Sequence, residues 1–228
     1  MEIYSLKDSD AKIQGEENLN EQKFVVTELR QGVKNPNRVN VFIDGKYEFS
    51  LDVTQVVEYK LKKGMKLTAE QVVEYKKASE YGKLYQRTLE WVLTRPRSER
   101  ETRDYLRKKI YDKKLDNNYT EKIIEKLKLK KYLDDEKFAE WYVENRFVKK
   151  GVSIKRLKME LVKKGIKREL AEAAINKIGR DDEAEIKKII AKKRAKYDDD
   201  KLISYLVRQG FDYHLAQTVV RENHCETD

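Results

Sequence analysis

Cysteine, proline, histidine and glycine are all scarce in this sequence of 228 residues, which has 1 cysteine, 2 prolines, 2 histidines and 9 glycines. A single cysteine, Cys225, excludes an internal disulfide and suits a reducing cytosol. So few prolines and glycines favour long helices over an all-β chain. No run of 18 apolar residues occurs, and the first twelve residues lack the basic start and apolar stretch of a signal peptide. We therefore expect a soluble, cytoplasmic protein.

Motifs of catalysis and of metal binding are also missing from the sequence. It has neither a phosphate-binding Gly-x-x-x-x-Gly-Lys loop nor a Gly-x-Ser-x-Gly elbow. His214 is expected to be a surface side chain, and His224 with Cys225 supplies only two of the three or four ligands that a transition metal needs. The sequence therefore offers little support for a catalytic site or a transition-metal site.

Three acidic groups offer an alternative to this conclusion, since paired carboxylates can bind magnesium in a nuclease. They are Asp134-Asp135, Asp181-Asp182 and the run from Asp198 to Asp200. Each directly precedes a helical pattern, where a carboxylate caps free amides and opposes the positive end of the helix. Capping is the interpretation that we favour, and loss of activity with a chelator would favour the nuclease.

Positive charge dominates the rest of the chain. The formal net charge is +10 and the pI is about 9.3, which predicts an acidic partner: nucleic acid, an acidic protein face or an anionic membrane. Residues 1–23 are net negative and residues 84–228 carry the basic excess. Charged residues make up 40% and hydrophobic residues 39%, enough for thin helical layers. We predict a flexible acidic extension at residues 1–22.

The pattern after residue 23 is typical of a small β-sheet. Three alternating runs, Phe24–Leu29, Val39–Ile43 and Tyr47–Leu51, predict three antiparallel strands. Asp44 and Gly45 form the dipeptide that favours a tight type I′ hairpin. A short helix beginning at Asp52 and a second helix after a capping box at Thr68 and Gln71 complete the region 23–83. Gly82 leaves open whether the second helix continues through Tyr85.

From residue 84 onward the chain is predicted to be an elongated array of tandem three-helix repeats. A helix-loop-helix phrase runs from Leu157 to Ile175 and recurs 45 residues later, and such a period indicates stacked units that cannot bury an apolar face alone. We assign repeats to 84–130, 131–179 and 180–228. Gly165 and Gly210 are expected to end helices in the left-handed conformation. Repeat 1 has Ile110 at this position, which predicts a longer second helix or an irregular loop.

Several segments resemble the RecX family of bacterial regulatory proteins. They are Arg95–Glu101 (RPRSERE) followed by Leu106, Tyr132–Ala139 (YLDDEKFA) leading through Tyr142 and Arg146 to Gly151, and Leu161–Ile166 (LVKKGI). The strands around Asp44–Tyr47 (DGKY) are similar to the amino-terminal segment of some members. The resemblance covers about residues 84–222 in the order of the three repeats.

This resemblance implies a modulator of the RecA recombinase in DNA repair, recombination and the SOS response. Family members are expected to lie in the helical groove of the RecA–single-stranded-DNA filament and to limit its growth, ATP hydrolysis and strand exchange, although some stimulate. It also implies a monomer that is not an enzyme, needs no cofactor and reaches single-stranded DNA through the filament. The alternative hypothesis is a free-standing nucleic-acid-binding protein with helix-turn-helix-like repeats.

Basic side chains around the turns of the repeats are the candidate contacts with the filament or DNA. They are Arg95, Arg97, Arg103, Arg107, Arg146, Lys149, Lys150, Lys163, Lys164, Arg194 and Arg208. A charge run is more often a solvated face, and Arg95, Arg146 and Arg194, which recur at one register, could instead bond helices together. Trp91 and Tyr142 are assigned to the core rather than to base stacking, and Trp141 to an interface.

Overall fold

The structure is a computed structural model that describes residues 23–33, 35–149, 151–177, 179 and 181–225. The acidic extension predicted at residues 1–22 lies outside this range. The chain divides into two compact units, one ending at Arg87 and the other beginning at Thr88. Among the described residues, no helix is long and apolar enough to cross a membrane.

The amino-terminal unit contains an antiparallel sheet. Its strands are β1 (Phe24–Gln31), β2 (Arg38–Ile43), β3 (Lys46–Asp52) and β4 (Lys66–Leu67), in the order β3-β2-β1-β4. The hairpin prediction is confirmed, since Asp44 and Gly45 both have positive φ, 48° and 80°, as a type I′ turn requires. The prediction of three strands was one short. β4 has only two residues, too few to show an alternating pattern, and it pairs with Phe24 and Val25.

Two helices cover this sheet. They are α1 (Val53–Glu58) and α2 (Ala69–Leu93). The predicted capping box is confirmed, because Gln71 N donates to Thr68 Oγ1 at 3.2 Å and Thr68 N donates to Gln71 Oε1 at 3.0 Å. The buried core of the unit includes Phe49 and Tyr75. Helix α2 continues through Gly82, so its carboxyl-terminal part is the first helix of repeat 1.

Beyond the end of α2, the regular elements that the structure describes in the second unit are all helices. They are α3 (Glu99–Lys113), α4 (Tyr119–Leu129), α5 (Asp135–Lys149), α6 (Ile154–Lys163), α7 (Arg168–Lys177), α8 (Asp182–Lys193), α9 (Asp199–Arg208) and α10 (Tyr213–Cys225). Helices α5–α7 form repeat 2 and α8–α10 form repeat 3. Each of these repeats has its own buried cluster, one around Leu157 and Leu161 and the other around Leu202 and Leu206. The predicted array of three-helix repeats is confirmed.

The turn after the second helix recurs in all three repeats. Gly165 and Gly210 have φ of 89° and 93°, which confirms the predicted left-handed caps. In repeat 1 the left-handed residue is Lys114, with φ 52°, and not Ile110 as the sequence alignment had it. Lys114 lies 16 residues after the N-cap Ser98, whereas Gly165 lies 12 after the N-cap Ser153. Helix α3 is therefore about one turn longer than α6. Of the two alternatives predicted for repeat 1, the longer second helix is the one observed.

Candidate binding surface of the helical repeats

A recurring joint connects each repeat to the next. Ser98, the N-cap of α3, accepts from Glu101 N at 3.1 Å and donates its hydroxyl to Lys164 O at 2.7 Å. Ser153, the N-cap of α6, is placed likewise against the next turn, where its own N donates to Gln209 O at 3.4 Å. Both serines are fully buried. The amino end of one second helix therefore sits on the turn of the following repeat.

Glycine is needed at the turn because the joint leaves no room for a side chain. A Cβ at Gly165 would lie 2.5 Å from the Cβ of Arg100, and one at Gly210 would lie 2.7 Å from the Oγ of Ser153. Real Cβ atoms essentially never approach other atoms so closely. The glycines therefore serve both the left-handed backbone and the approach of the neighbouring repeat.

The acidic pairs accept hydrogen bonds from backbone amides at helix caps and at the joints between repeats. Asp134 accepts from Glu136 N and Lys137 N, both at 3.1 Å, and Asp181 and Asp198 cap α8 and α9 in the same way. The second members of two pairs bridge repeats: Asp135 accepts from Glu99 N and Asp182 from Ile154 N, each at 2.8 Å. The capping interpretation is confirmed. Across the described ranges, no group of three or more His, Cys, Asp or Glu is arranged to hold a metal.

Lys164 belongs to the joint between repeats 1 and 2. Its Nζ lies 2.5 Å from Glu101 Oε1, and Arg95 Nη1 lies 3.1 Å from Glu101 Oε2. Burial alone would raise the pKa of Glu101, but the hydrogen bonds from Lys164 and Arg95 outweigh it and hold that pKa below its ordinary value. At the next joint the donor and the acceptor exchange places. There the donor, Arg156 Nη1, lies on the second helix, and the acceptor, Gln209 Oε1, lies on the turn of the following repeat, 3.3 Å away. Lys164 and Arg95 therefore stabilise the packing of repeat 1 against repeat 2.

The three arginines at one register each bind a carboxylate on the second helix of their own repeat. Arg95 pairs with Glu101, Arg146 with Glu160 and Arg194 with Asp199. Arg146 does so through two bonds of 2.8 Å, from Nε and Nη2. A bidentate arginine–carboxylate pair fixes both direction and distance. The structural alternative for this register is therefore confirmed by geometry, and a contact of these residues with a partner stays a proposal.

Glu160 has a strongly lowered pKa. The hydrogen bond from Arg146 lowers the pKa of Glu160, and burial opposes this effect. The hydroxyl of Tyr142, which donates at 2.9 Å, lowers the pKa further, to about 2. Burial and the same hydrogen bond raise the pKa of Tyr142 to about 12. Charged Glu160 therefore stabilises the packing of α5 against α6.

A pH dependence of stability follows from this pKa. Because the folded-state pKa is depressed from 4.5 to about 2, the stabilisation is complete above pH 4.5 and is lost as the pH falls toward 2. We expect the free energy of unfolding to fall over this range by about 1–3 kcal/mol more in the native sequence than in Glu160→Gln. Urea unfolding at several pH values measures this free energy. An equal fall with pH in the two proteins would contradict the prediction.

The candidates of repeat 1 also lie among partners of their own. Arg97 stacks over Trp91 with its guanidinium carbon 3.9 Å from the ring centroid, and Trp91 stacks on Tyr105 at 4.4 Å. Arg103 binds Glu99 and Glu121. Arg107 is exposed and lies 3.5 Å from Asp104, a weak surface pair.

The aromatic candidates of repeat 2 lie against its core. Trp141 and Tyr142 are both partly buried and pack on the cluster around Phe138. The guanidinium carbon of Arg95 lies 5.4 Å from the ring centroid of Trp141. Trp141 therefore contributes to a contact within the protein.

Lys163 and Arg208 are the candidates whose side chains are exposed beside the turns and form no ion pair with any described residue. Lys150 and the side chain of Lys149 lie outside the described range. Lys163 immediately precedes the joint lysine Lys164, yet the two have opposite environments. Adjacent residues on a helix point in different directions, so a run of basic letters does not by itself indicate one surface.

Lys163 also lines a groove that the sequence did not reveal. The cavity has a volume of about 590 Å³ and lies between α6, α7 and the start of α3. We call it the repeat-2 groove, lined by Arg100, Lys155, Lys158, Met159, Val162, Lys163, Arg168, Ala171 and Glu172. Met159 is 56% exposed and Val162 39% exposed. The sequence did contain a sign of this groove. Met159 and Val162 do not share the helix face of Leu157 and Leu161, and apolar residues outside that face do not reach the core.

Family comparisons match two regions of the chain. The Regulatory protein RecX N-terminal domain matches residues 24–68, and the RecX second three-helix domain matches residues 134–175. The first covers the four strands and α1, and the second covers most of repeat 2. The matches therefore fall on both units of the structure.

Curated relatives and solved structures agree with these matches. The chain is 31% identical to Regulatory protein RecX of Bacillus licheniformis over 89% of this chain and 79% of that protein. It is 32% identical to the protein of that name from Listeria monocytogenes serotype 4a, over 89% and 77%.

Among solved structures, a crystal structure of regulatory protein RecX aligns with a TM-score of 0.65 at 21% identity, covering 86% of this chain and 98% of that one, which supports the fold. RecX from Lactobacillus salivarius aligns with a TM-score of 0.51 at 25% identity, covering 64% of this chain and 97% of that one. Because curated relatives of 31% and 32% identity match over 89% of this chain, the chain belongs to the RecX family of regulatory proteins.

Proposed function

We propose that this protein binds the RecA–single-stranded-DNA filament and limits its growth, ATP hydrolysis and strand exchange. Membership of the RecX family across 89% of the chain is the observation that carries the proposal. The protein would act as a cytoplasmic monomer in recombination, repair and the SOS response, without catalysis or a cofactor. It would reach DNA through the filament.

The construction of the array supports a binding role spread over several repeats. Connected units that each make weak contacts gain affinity because the later contacts form at high effective concentration. The joints at Ser98 and Ser153 fix the spacing between units, and fixed spacing is what repeated contacts with a regular filament need. Occupancy of the filament groove would then block addition of protomers or access of duplex DNA.

The candidate residues divide into two roles under this proposal. Lys163, Arg208 and Arg107, with Lys149 and Lys150, would contact the acidic partner directly. Arg95, Arg97, Arg103, Arg146, Lys164 and Arg194 already have partners in the fold and would hold the contact surface in shape.

The test is ATP hydrolysis by RecA on single-stranded DNA as this protein is titrated below one copy per protomer. A fall in rate at such low ratios is expected, because one bound copy blocks extension of many protomers. The alternative, a free-standing nucleic-acid-binding protein, instead predicts tight DNA binding without RecA and a steep loss of affinity with salt.

A further inference from the structure

We propose that the repeat-2 groove binds an acidic, amphipathic helical segment of a protein partner. The proposal stands on the groove itself and goes beyond the proposed function, since it requires no particular partner. Its geometry is that of a basic rim around a small apolar floor. Such a floor accepts the apolar face of a helix, whose anchors recur every three or four residues.

The floor of the groove is formed by apolar side chains, although the helices around it are highly charged. Met159 and Val162 lie on consecutive turns of α6, three residues apart, and both expose a large part of their side chains. Methionine is flexible and polarizable, and it is common at surfaces that accept varied apolar anchors. Ala171 on α7 is small, which deepens the groove.

Most of the positive charge on the rim has no carboxylate partner among the described residues. Arg100, Lys155, Lys163 and Arg168 form no ion pair within the part of the chain that the structure describes. Lys158 is the exception, 3.1 Å from Glu172. Four unpaired cations around one cavity attract carboxylates, and their field also steers an acidic partner toward the groove.

Repeat 3 shows that this basic rim is not a general property of the repeat. At the 45-residue offset, Val162 corresponds to Val207, which is 41% exposed, so the apolar position is kept. Lys155, Lys158 and Arg168 instead correspond to Asp200, Ile203 and Tyr213. Repeat 3 therefore keeps the exposed valine but lacks three of the basic residues that line the repeat-2 groove.

A peptide fits this groove better than single-stranded nucleic acid does. Non-specific binding of single strands combines cations with aromatic platforms on which bases stack. The nine residues that line the groove include no aromatic side chain. Trp91 and Trp141 are both covered by arginines elsewhere in the repeats.

The experiment uses the full chain and a fluorescent synthetic helix of about 18 residues, with leucine at helical spacing and glutamate at the flanking positions. Anisotropy at low salt gives the affinity. We expect Lys163→Glu with Arg168→Glu to weaken binding at least about tenfold, because two attractive contacts become repulsive. Lys192→Glu with Lys196→Glu, which changes the net charge equally at exposed sites of repeat 3, should change it less than about twofold.

A second variant separates the apolar floor from the charge. Met159→Ser removes an exposed side chain, so it should leave the fold intact while weakening the acidic helix about threefold to tenfold. The same variant should not alter binding of an oligothymidine. Failure of the acidic helix to bind, or binding that ignores all of these substitutions, would overturn the proposal. Oligothymidine that displaces the helix, together with indifference to Met159→Ser, would make the groove a phosphate site. None of these outcomes depends on RecA, so each is distinguishable from failure of the proposed function.

Discussion

Replacing Gly165 by alanine is expected to lower the free energy of unfolding of the helical unit by about 2–5 kcal/mol. Two costs add at this position. A non-glycine residue at φ 89° is strained by about 1–2 kcal/mol. Its Cβ would also lie 2.5 Å from the Cβ of Arg100, and overpacking of this kind costs about 1–3 kcal/mol more. The nearest atom is close to the backbone of α3, so it cannot simply rotate away.

Gly179→Ala is the matched control for this substitution. Gly179 also has positive φ, 63°, but no atom of the described residues lies within 4 Å of the added Cβ. It should therefore cost only the backbone strain, about 1–2 kcal/mol. Urea unfolding followed by tryptophan fluorescence measures both, because Trp91 and Trp141 are the only tryptophans and both belong to the helical unit. Equal losses in the two variants would show that the joint at Gly165 is not close-packed.

Lys164→Glu should destabilise the helical unit by about 2–3 kcal/mol, whereas Lys163→Glu should cost about 0.5 kcal/mol. Lys164 bonds Glu101, whose side chain is only 15% exposed, so the reversal places two carboxylates together in a partly buried joint. Lys163 is exposed and unpaired among the described residues. Both lie at the carboxyl end of α6, so the unfavourable helix-dipole term is common to the two variants.

The two variants should have the reverse order of effect in binding, where Lys163→Glu should have the larger effect. At a temperature where both are folded, Lys163→Glu should weaken contact with the acidic partner, because its ammonium is free to reach one. If Lys164→Glu unfolds at the same urea concentration as Lys163→Glu, the bond to Glu101 contributes nothing and the division of the two lysines is wrong.

Much of the fold could be predicted because its local signals agree with one another. The 45-residue repeat, the capping box at Thr68 and the turn dipeptide at Asp44 each report a short-range preference that the tertiary structure keeps. The exceptions are physical. Strand β4 is formed by its pairing with Phe24 and Val25 rather than by its own pattern. Lys114 takes a left-handed conformation that sequence associates with glycine.

The binding surface was harder to predict, because charge patterns do not report which cations already have partners. Glu101 lies 63 residues before Lys164 and could not be paired with it from spacing. Recurrence of Arg95, Arg146 and Arg194 was visible in the sequence, but recurrence is equally expected of a repeated structural bond. The repeat-2 groove needed the arrangement of three helices, of which α3 belongs to another repeat.

If this chain acts on a recombinase filament as proposed, it should change the rate of ATP hydrolysis by RecA on single-stranded DNA. The protein is titrated well below one copy per protomer, and its binding to the bare DNA is measured in parallel. We expect the hydrolysis rate to fall at these low ratios and the protein to bind bare DNA only weakly. An unchanged rate, from a protein that binds bare DNA tightly by itself, would contradict it.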